Sequence, residues 1–111
     1  MGLIPNLCVM DIANIKASDL ELTPAITAYV ERKLEHLDKF LSSVGEPKQA
    51  FVEVEKTTRH HKSGDIFRCE VMIKLPGKTL RAESNDTDLY AAIDAVRDAL
   101  ERQVIQYKET R

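Results

Sequence analysis

The stretch that most constrains the fold is the last one, Asp86 to Arg111. Leu89, Ile93, Val96, Leu100, Val104 and Tyr107 recur at steps of four, three, four, four and three, which places them on one stripe of a helix with a period of about 3.6 residues. A stripe of that length has to be covered, so the rest of the chain must supply a matching apolar surface. Asn85 or Asp86 can cap the first free N–H groups, and Asp86 and Asp88 lie where the positive end of the helix dipole favours negative charge. Core packing accounts for the stripe completely. Functional residues are therefore to be sought on its flanks.

The covering surface is legible upstream. In Asp65 to Leu75, Phe67, Cys69, Val71, Ile73 and Leu75 alternate with Arg68, Glu70 and Lys74, the pattern of a strand with one face in the core and one in water. Pro76-Gly77 suits a tight turn, and Lys78 to Glu83 continues as the second arm of a hairpin with Leu80 and Ala82 inward. Gln49 to Thr57 reads as a strand. Asp11 to Ala17 reads as another, with Ala13, Ile15 and Ala17 on one face and Ile12, Asn14 and Lys16 on the other. Thr23-Pro24 is a helix start, because Thr can cap the free amides and Pro at the first helical position loses no bond it needed. Ile26, Val30, Leu34, Leu37 and Leu41 then form an apolar stripe, and Gly45 with Pro47 ends the element. The order β-α-β-β-β-α predicts an α+β fold: a four-stranded mixed sheet, with a right-handed parallel crossover first and an antiparallel meander after it, and two helices packed on one face.

With 111 residues, 43% of them hydrophobic, the chain is large enough for one core without metal or disulfide staples. Residues 10–111 are expected to form that single domain. Residues 1–9 share none of its periodicity and are expected to be a poorly ordered extension, with Met10 available as an alternative start. Cys8 and Cys69 lack metal-ligand spacing, and Cys69 sits in an apolar register, so reduced thiols and a cytoplasmic location are expected. No apolar run approaches the roughly 20 residues of a membrane span, and Gly2 to Met10 lacks the charged start and cleavage site of a signal peptide.

Sixteen Lys and Arg against 18 Asp and Glu give a net charge of −2, which offers no general attraction for nucleic acid. The distribution differs from the total. Between Lys56 and Arg81, seven basic residues face only Asp65 and Glu70. Turning 100° per residue about the first helix places Lys33, His36, Arg32 and Lys39 around one flank and Asp38, Glu31 and Glu35 around the other, a segregation that a solvated amphipathic helix can also show. The segment Thr57 to Gly64, read as a loop, carries Arg59-His60-His61-Lys62. Adjacent histidines rarely converge on one ion and no Cys or carboxylate is spaced to join them, so no metal is expected; a phosphate-contacting loop and a merely solvated one both fit. The four glycines are scattered, no Ser sits in a nucleophile-elbow context, and no zinc motif appears. Neither catalysis, nor a cofactor, nor a small-molecule substrate is expected.

Glu21-Leu22-Thr23-Pro24-Ala25-Ile26, Lys33-Leu34, Leu80-Arg81-Ala82, Asp88-Leu89-Tyr90-Ala91-Ala92-Ile93-Asp94 and Leu100-Glu101-Arg102-Gln103 together resemble the ribosome hibernation-promoting factor and ribosome-associated inhibitor family, also named for sigma-54 modulation. The resemblance runs from about residue 10 to the end, and the Asp-Leu-Tyr-Ala-Ala-Ile-Asp run is its specific part. It implies a domain on the small (30S) ribosomal subunit near the decoding centre, bound to rRNA, where it blocks mRNA and tRNA sites in idle ribosomes. Lys33, Arg102 and Lys108 match basic positions of the family's RNA-facing surface. Ala99 and Gln106 stand where the family often has Lys, and the first helix and the basic segment can compensate. The expected RNA-binding set is therefore Arg32, Lys33, Lys39, Arg59, Lys62, Arg102 and Lys108. Because the chain stops after its second helix, without the inhibitor branch's extended tail, it looks like a short member. Two other readings compete: a double-stranded RNA reader, which also sets two helices on one face of a sheet, and a protein-interaction module acting on a transcription factor. Tyr90, at the edge of the last helix's apolar stripe, reads as a core-edge residue with its hydroxyl at the surface.

Overall fold

The computed structural model describes residues 11–45, 47–61 and 64–110, and for 58–61 and 64–65 the backbone alone. The elements are β1 (Asp11–Ser18), α1 (Pro24–Asp38), a 3-10 turn (Lys39–Leu41), β2 (Gln49–His61), β3 (Gly64–Leu75), β4 (Lys78–Asp86) and α2 (Leu89–Glu109). The order β-α-β-β-β-α and the α+β class are those expected. The four strands lie in the order β1-β2-β3-β4; β1 runs parallel to β2, and the other neighbours are antiparallel. Residues 1–9, expected as an extension, lie outside the described residues.

Both helices pack on one face, where Val30 and Leu34 of α1 and Ile93, Val96 and Leu100 of α2 meet Cys69 and Val71 of β3. Every residue of the two predicted stripes is buried, and Leu37, Leu41, Leu100 and Val104 have no exposure at all. Burial pushes the Cys69 thiol up to about 12, so it behaves as a small hydrophobe. Since β1, β2 and β4 point the same way, α1 and α2, which follow β1 and β4, both run back against them and start at the same end of the sheet. Each start is capped. Thr23 Oγ1 accepts from the Ile26 amide at 3.2 Å with Pro24 in the first turn, as expected. On α2 the cap is Asp88, whose Oδ1 accepts from the Tyr90 amide at 3.1 Å, and not Asn85 or Asp86. Those two are held in extended backbone by pairing with Arg68 and Phe67, and Asp86 instead accepts from the Asp88 amide at 3.0 Å.

Three boundaries differ from expectation for identifiable reasons. In β1 the register shifts between Ile12 and Asn14, and this one-residue bulge turns Ile12 to the core beside Ile15 and Ala17, whereas strict alternation assigns it to the other face. β2 and β3 continue through Arg59 and His60 to a His61–Gly64 pair, so the predicted Thr57 to Gly64 loop is largely ladder. Backbone pairing satisfies a polar segment as well as an apolar one, and side-chain polarity carries no sign of it. α1 gives way at Asp38 to the 3-10 turn that carries Leu41 inward; the buried Lys48 ammonium donates to the Leu41 carbonyl at 3.3 Å and satisfies one of the groups a helix end leaves open. Among the described residues no helix is long and apolar enough to cross a membrane.

β4 is a sheet edge, and α2 closes part of it. The Arg81 amide donates to Gln103 Oε1 at 3.3 Å, and Gln103 Nε2 donates to the Arg81 carbonyl at 2.9 Å, so one side-chain amide occupies a rung that another strand could otherwise take. One turn on, the Tyr107 hydroxyl donates to the Pro76 carbonyl at 2.8 Å, beside Gly77, whose φ of 77° is the conformation this Pro-Gly turn demands. Gln103→Ala is expected to cost about 1 kcal/mol in urea denaturation. Gln103→Glu should recover part of that loss at most, because a carboxylate can accept from Arg81 but cannot donate to it; full recovery would assign the Gln103 contribution to packing.

Candidate nucleic-acid interface

The helix layer is fastened through one carboxylate. Tyr29 Oη donates to Asp94 Oδ1 at 2.7 Å, and Lys33 Nζ lies 3.2 Å from the same oxygen. The Lys33 ammonium is also 5.1 Å from the Tyr29 ring centroid, within cation–π range. Tyr90 meets Tyr29 edge to face, with centroids 4.8 Å apart and planes at 81°. These contacts give the Asp88-to-Asp94 run a physical reading: Asp88 caps, Leu89 and Ile93 enter the core, Ala92 has no exposure, and Tyr90 and Asp94 grip α1. The Asp94 hydrogen bond, with burial a lesser cause, raises the Tyr29 phenol above its ordinary 10.0.

The expected cations are distributed unevenly around this clasp. Arg32 on α1, Lys39 in the 3-10 turn after it, and Arg102 and Lys108 on α2 are exposed. Lys33 is different: its side chain is only 24% exposed, and it is paired with Asp94. Arg59 lies in β2 with its side chain outside the described residues, and Lys62 lies outside them altogether. Among the described residues Arg102 forms no ion pair with Asp98 one turn earlier; Asp98 is engaged by Arg97 at 3.0 Å, and Arg97 also bonds Glu101 at 2.6 Å. Of the acidic flank predicted on α1, Glu31 and Glu35 are exposed, while Asp38 is buried; it is not a solvated charge.

Folding neutralises part of the positive charge counted between Lys56 and Arg81, at Arg68 and Arg81. On the sheet face away from the helices, Arg68 sits among carboxylates from all three meander strands: Glu53 and Glu55 of β2 at 3.1 Å each, Glu70 of β3 at 3.1 Å and Glu83 of β4 at 3.3 Å. Arg81 pairs with Glu70 as well, and Lys74 lies 5.3 Å from the Phe51 ring centroid. Three of these partners fall outside the counted segment or on another strand, so a linear window could not include them. Among the described residues, exposed cations without a carboxylate partner remain on the strands at Lys16, Lys74 and Lys78 and in the helix layer at Arg32, Lys39, Arg102 and Lys108. No group of three His, Cys, Asp or Glu side chains among the described residues could hold a metal ion.

The clasp makes a prediction with a definite sign. Tyr29 holds its proton more tightly in the folded chain than in the unfolded one, so its contribution to stability is complete below about pH 10 and declines as pH rises through the folded-state value. Asp94→Asn is expected to return the phenol towards 10.0, and Tyr29→Phe to cost about 1–2 kcal/mol. Phenolate absorbance followed against pH, with urea melts of both variants, checks this; a titration unchanged by Asp94→Asn would remove Asp94 as the cause.

Comparison with known proteins bears on the family and the fold. Residues 13–111 match the family described as Sigma 54 modulation protein / S30EA ribosomal protein. The chain is 40% identical over 97 residues to a ribosome hibernation promotion factor of Lactococcus lactis subsp. cremoris (strain MG1363), a match covering 86% of this chain and 48% of that protein. It is 38% identical over 94 residues to the protein of the same name from Staphylococcus aureus (strain COL), covering 85% and 46%. The chain thus spans about half the length of the curated relatives it matches. The crystal structure of the Thermus thermophilus Protein Y N-terminal domain superposes with a TM-score of 0.75 at 37% identity, covering 88% of this chain and 99% of that one. A ribosomal subunit interface protein from Coxiella burnetii, at 20% identity and a TM-score of 0.62 over 86% and 98% of the two chains, shares the fold. By the match over residues 13–111, this chain belongs to the Sigma 54 modulation protein / S30EA ribosomal protein family.

Proposed function

We propose that this chain is a non-enzymatic ribosome hibernation factor of the cytoplasm, which binds rRNA of the small subunit near the decoding centre and inhibits translation in idle cells. The observation that carries the reading is the 40% identity, over most of the chain, to a protein named ribosome hibernation promotion factor. The exposed cations Arg32, Lys39, Arg102 and Lys108 support an RNA partner on the helix side: unlike Arg68 and Arg81 of the outer sheet face, they are not held by carboxylates among the described residues. Arg59 and Lys62 extend the proposed set, and Lys33 joins it by exchanging or sharing its Asp94 partner with a phosphate.

Since the net charge is −2, the affinity has to come from these few positions, each releasing counterions from phosphate. The chain is expected to cosediment with purified 30S subunits at low salt and to dissociate as salt rises. Lys33→Gln with Arg102→Gln should lower the slope of log affinity against log salt by about 1.5 and relieve inhibition of translation without unfolding the domain. An unchanged slope would remove these helices as the RNA-facing surface. Equal binding to any RNA duplex would favour a shape reader, and no binding to subunits at any salt would favour a protein-interaction module.

A further inference from the structure

The face of the sheet that the helices cover is longer than the helices. β1 pairs with β2 only as far as Glu55, and β4 pairs with β3 only as far as Phe67, yet the β2–β3 ladder runs on past the Lys56–Phe67 pair. Beyond the first turns of α1 and α2 this leaves an open groove of about 580 Å3, within the size range of ligand-binding clefts. Its floor is apolar, made by Leu20, Ile26, Phe67 and Tyr90. Its rim carries the exposed carboxylates Asp19, Glu21 and Asp88 and, among the described residues, the ammonium of Lys56.

We infer that this groove docks a segment of a partner protein in which arginine or lysine side chains alternate with aliphatic ones. Charge and shape select this occupant. Three carboxylates around a floor with two aromatic rings favour a guanidinium, whose stem packs on apolar surface while its head meets the rim, and the ring faces add to the attraction. The same carboxylates repel nucleic-acid phosphate, so the groove is a protein contact separate from the exposed cations of the helices. It does not depend on the RNA reading: the groove is built from different residues.

The test uses the whole chain, isotope-labelled, titrated with an acetylated and amidated hexapeptide of alternating Arg and Leu and followed by amide shifts. Saturable shifts confined to Leu20 through Ile26, Phe67, Leu89 and Tyr90 are expected. An Arg-Gly hexapeptide should bind at least about fivefold more weakly, and Asp19→Asn with Glu21→Gln should weaken the Arg-Leu peptide about fivefold to tenfold. Asn tolerates the left-handed backbone at Asp19, whose φ is 59°; if the double variant melts early, Glu21→Gln alone must still weaken binding. Equal affinity for Arg-Gly, shifts elsewhere, or unchanged affinity in the charge variants would overturn the inference. So would oligouridylate RNA shifting the same amides, or concentration-dependent shifts without peptide, which would make the occupant RNA or a second copy. Carboxylates that only complement the helix starts would change the melting temperature and leave peptide affinity alone, which would also overturn it.

Discussion

Two helices that run the same way on one face of a sheet set like dipole ends side by side, and much of this molecule answers that constraint. At the shared starting end the free amides are met by Thr23 and Asp88, and the surrounding carboxylates have the sign that both helix ends favour. Towards the other end lie Lys39 beyond α1 and Lys108 in the last turn of α2, where cations are favoured. Between the ends, where dipole charges cancel, the helices are held by specific contacts: one Asp94 oxygen takes a phenol and an ammonium from α1. The same ordering leaves an acidic groove at the helix starts, while the exposed cations Arg32, Lys39, Arg102 and Lys108 are spread along the helix layer.

What the sequence reveals and what it conceals divide along a physical line. The stripes on α1 and α2 and the alternation in β3 are legible because burial repeats with the local backbone period. The Pro76-Gly77 turn is legible because few residues tolerate its geometry. The Arg68 cluster is concealed because its carboxylates come from three strands and meet only once the register is set. The pairing of Lys33 with Asp94 is concealed for the same reason, so a residue readable as a free cation turns out to be half-buried and partnered. The choice of Asp88 over Asn85 or Asp86 as the α2 cap depends on how far β4 claims the chain, a competition between neighbours that capping preference alone does not decide.

The motif that carried the family resemblance also changes meaning. Read as a signature, Asp88 to Asp94 marks membership; read in the fold, it is a cap, two core residues, a close-packing alanine and the two groups that grip α1. None of the seven is positively charged. The signature therefore specifies how the two helices are held, and the cations proposed to meet RNA are carried on the platform it fixes.

The Gln103 amide lies in a helix synthesised after all four strands, yet it completes a rung of a strand made well before it. Until α2 docks, β4 keeps a bare edge at Arg81 and the apolar face of the sheet lacks the six stripe residues of α2. A growing chain of this protein consequently cannot finish its sheet strand by strand. Hydrogen bonding at the edge and closure of the core wait for the same event, so the nascent domain remains open to wrong partners until α2 has emerged.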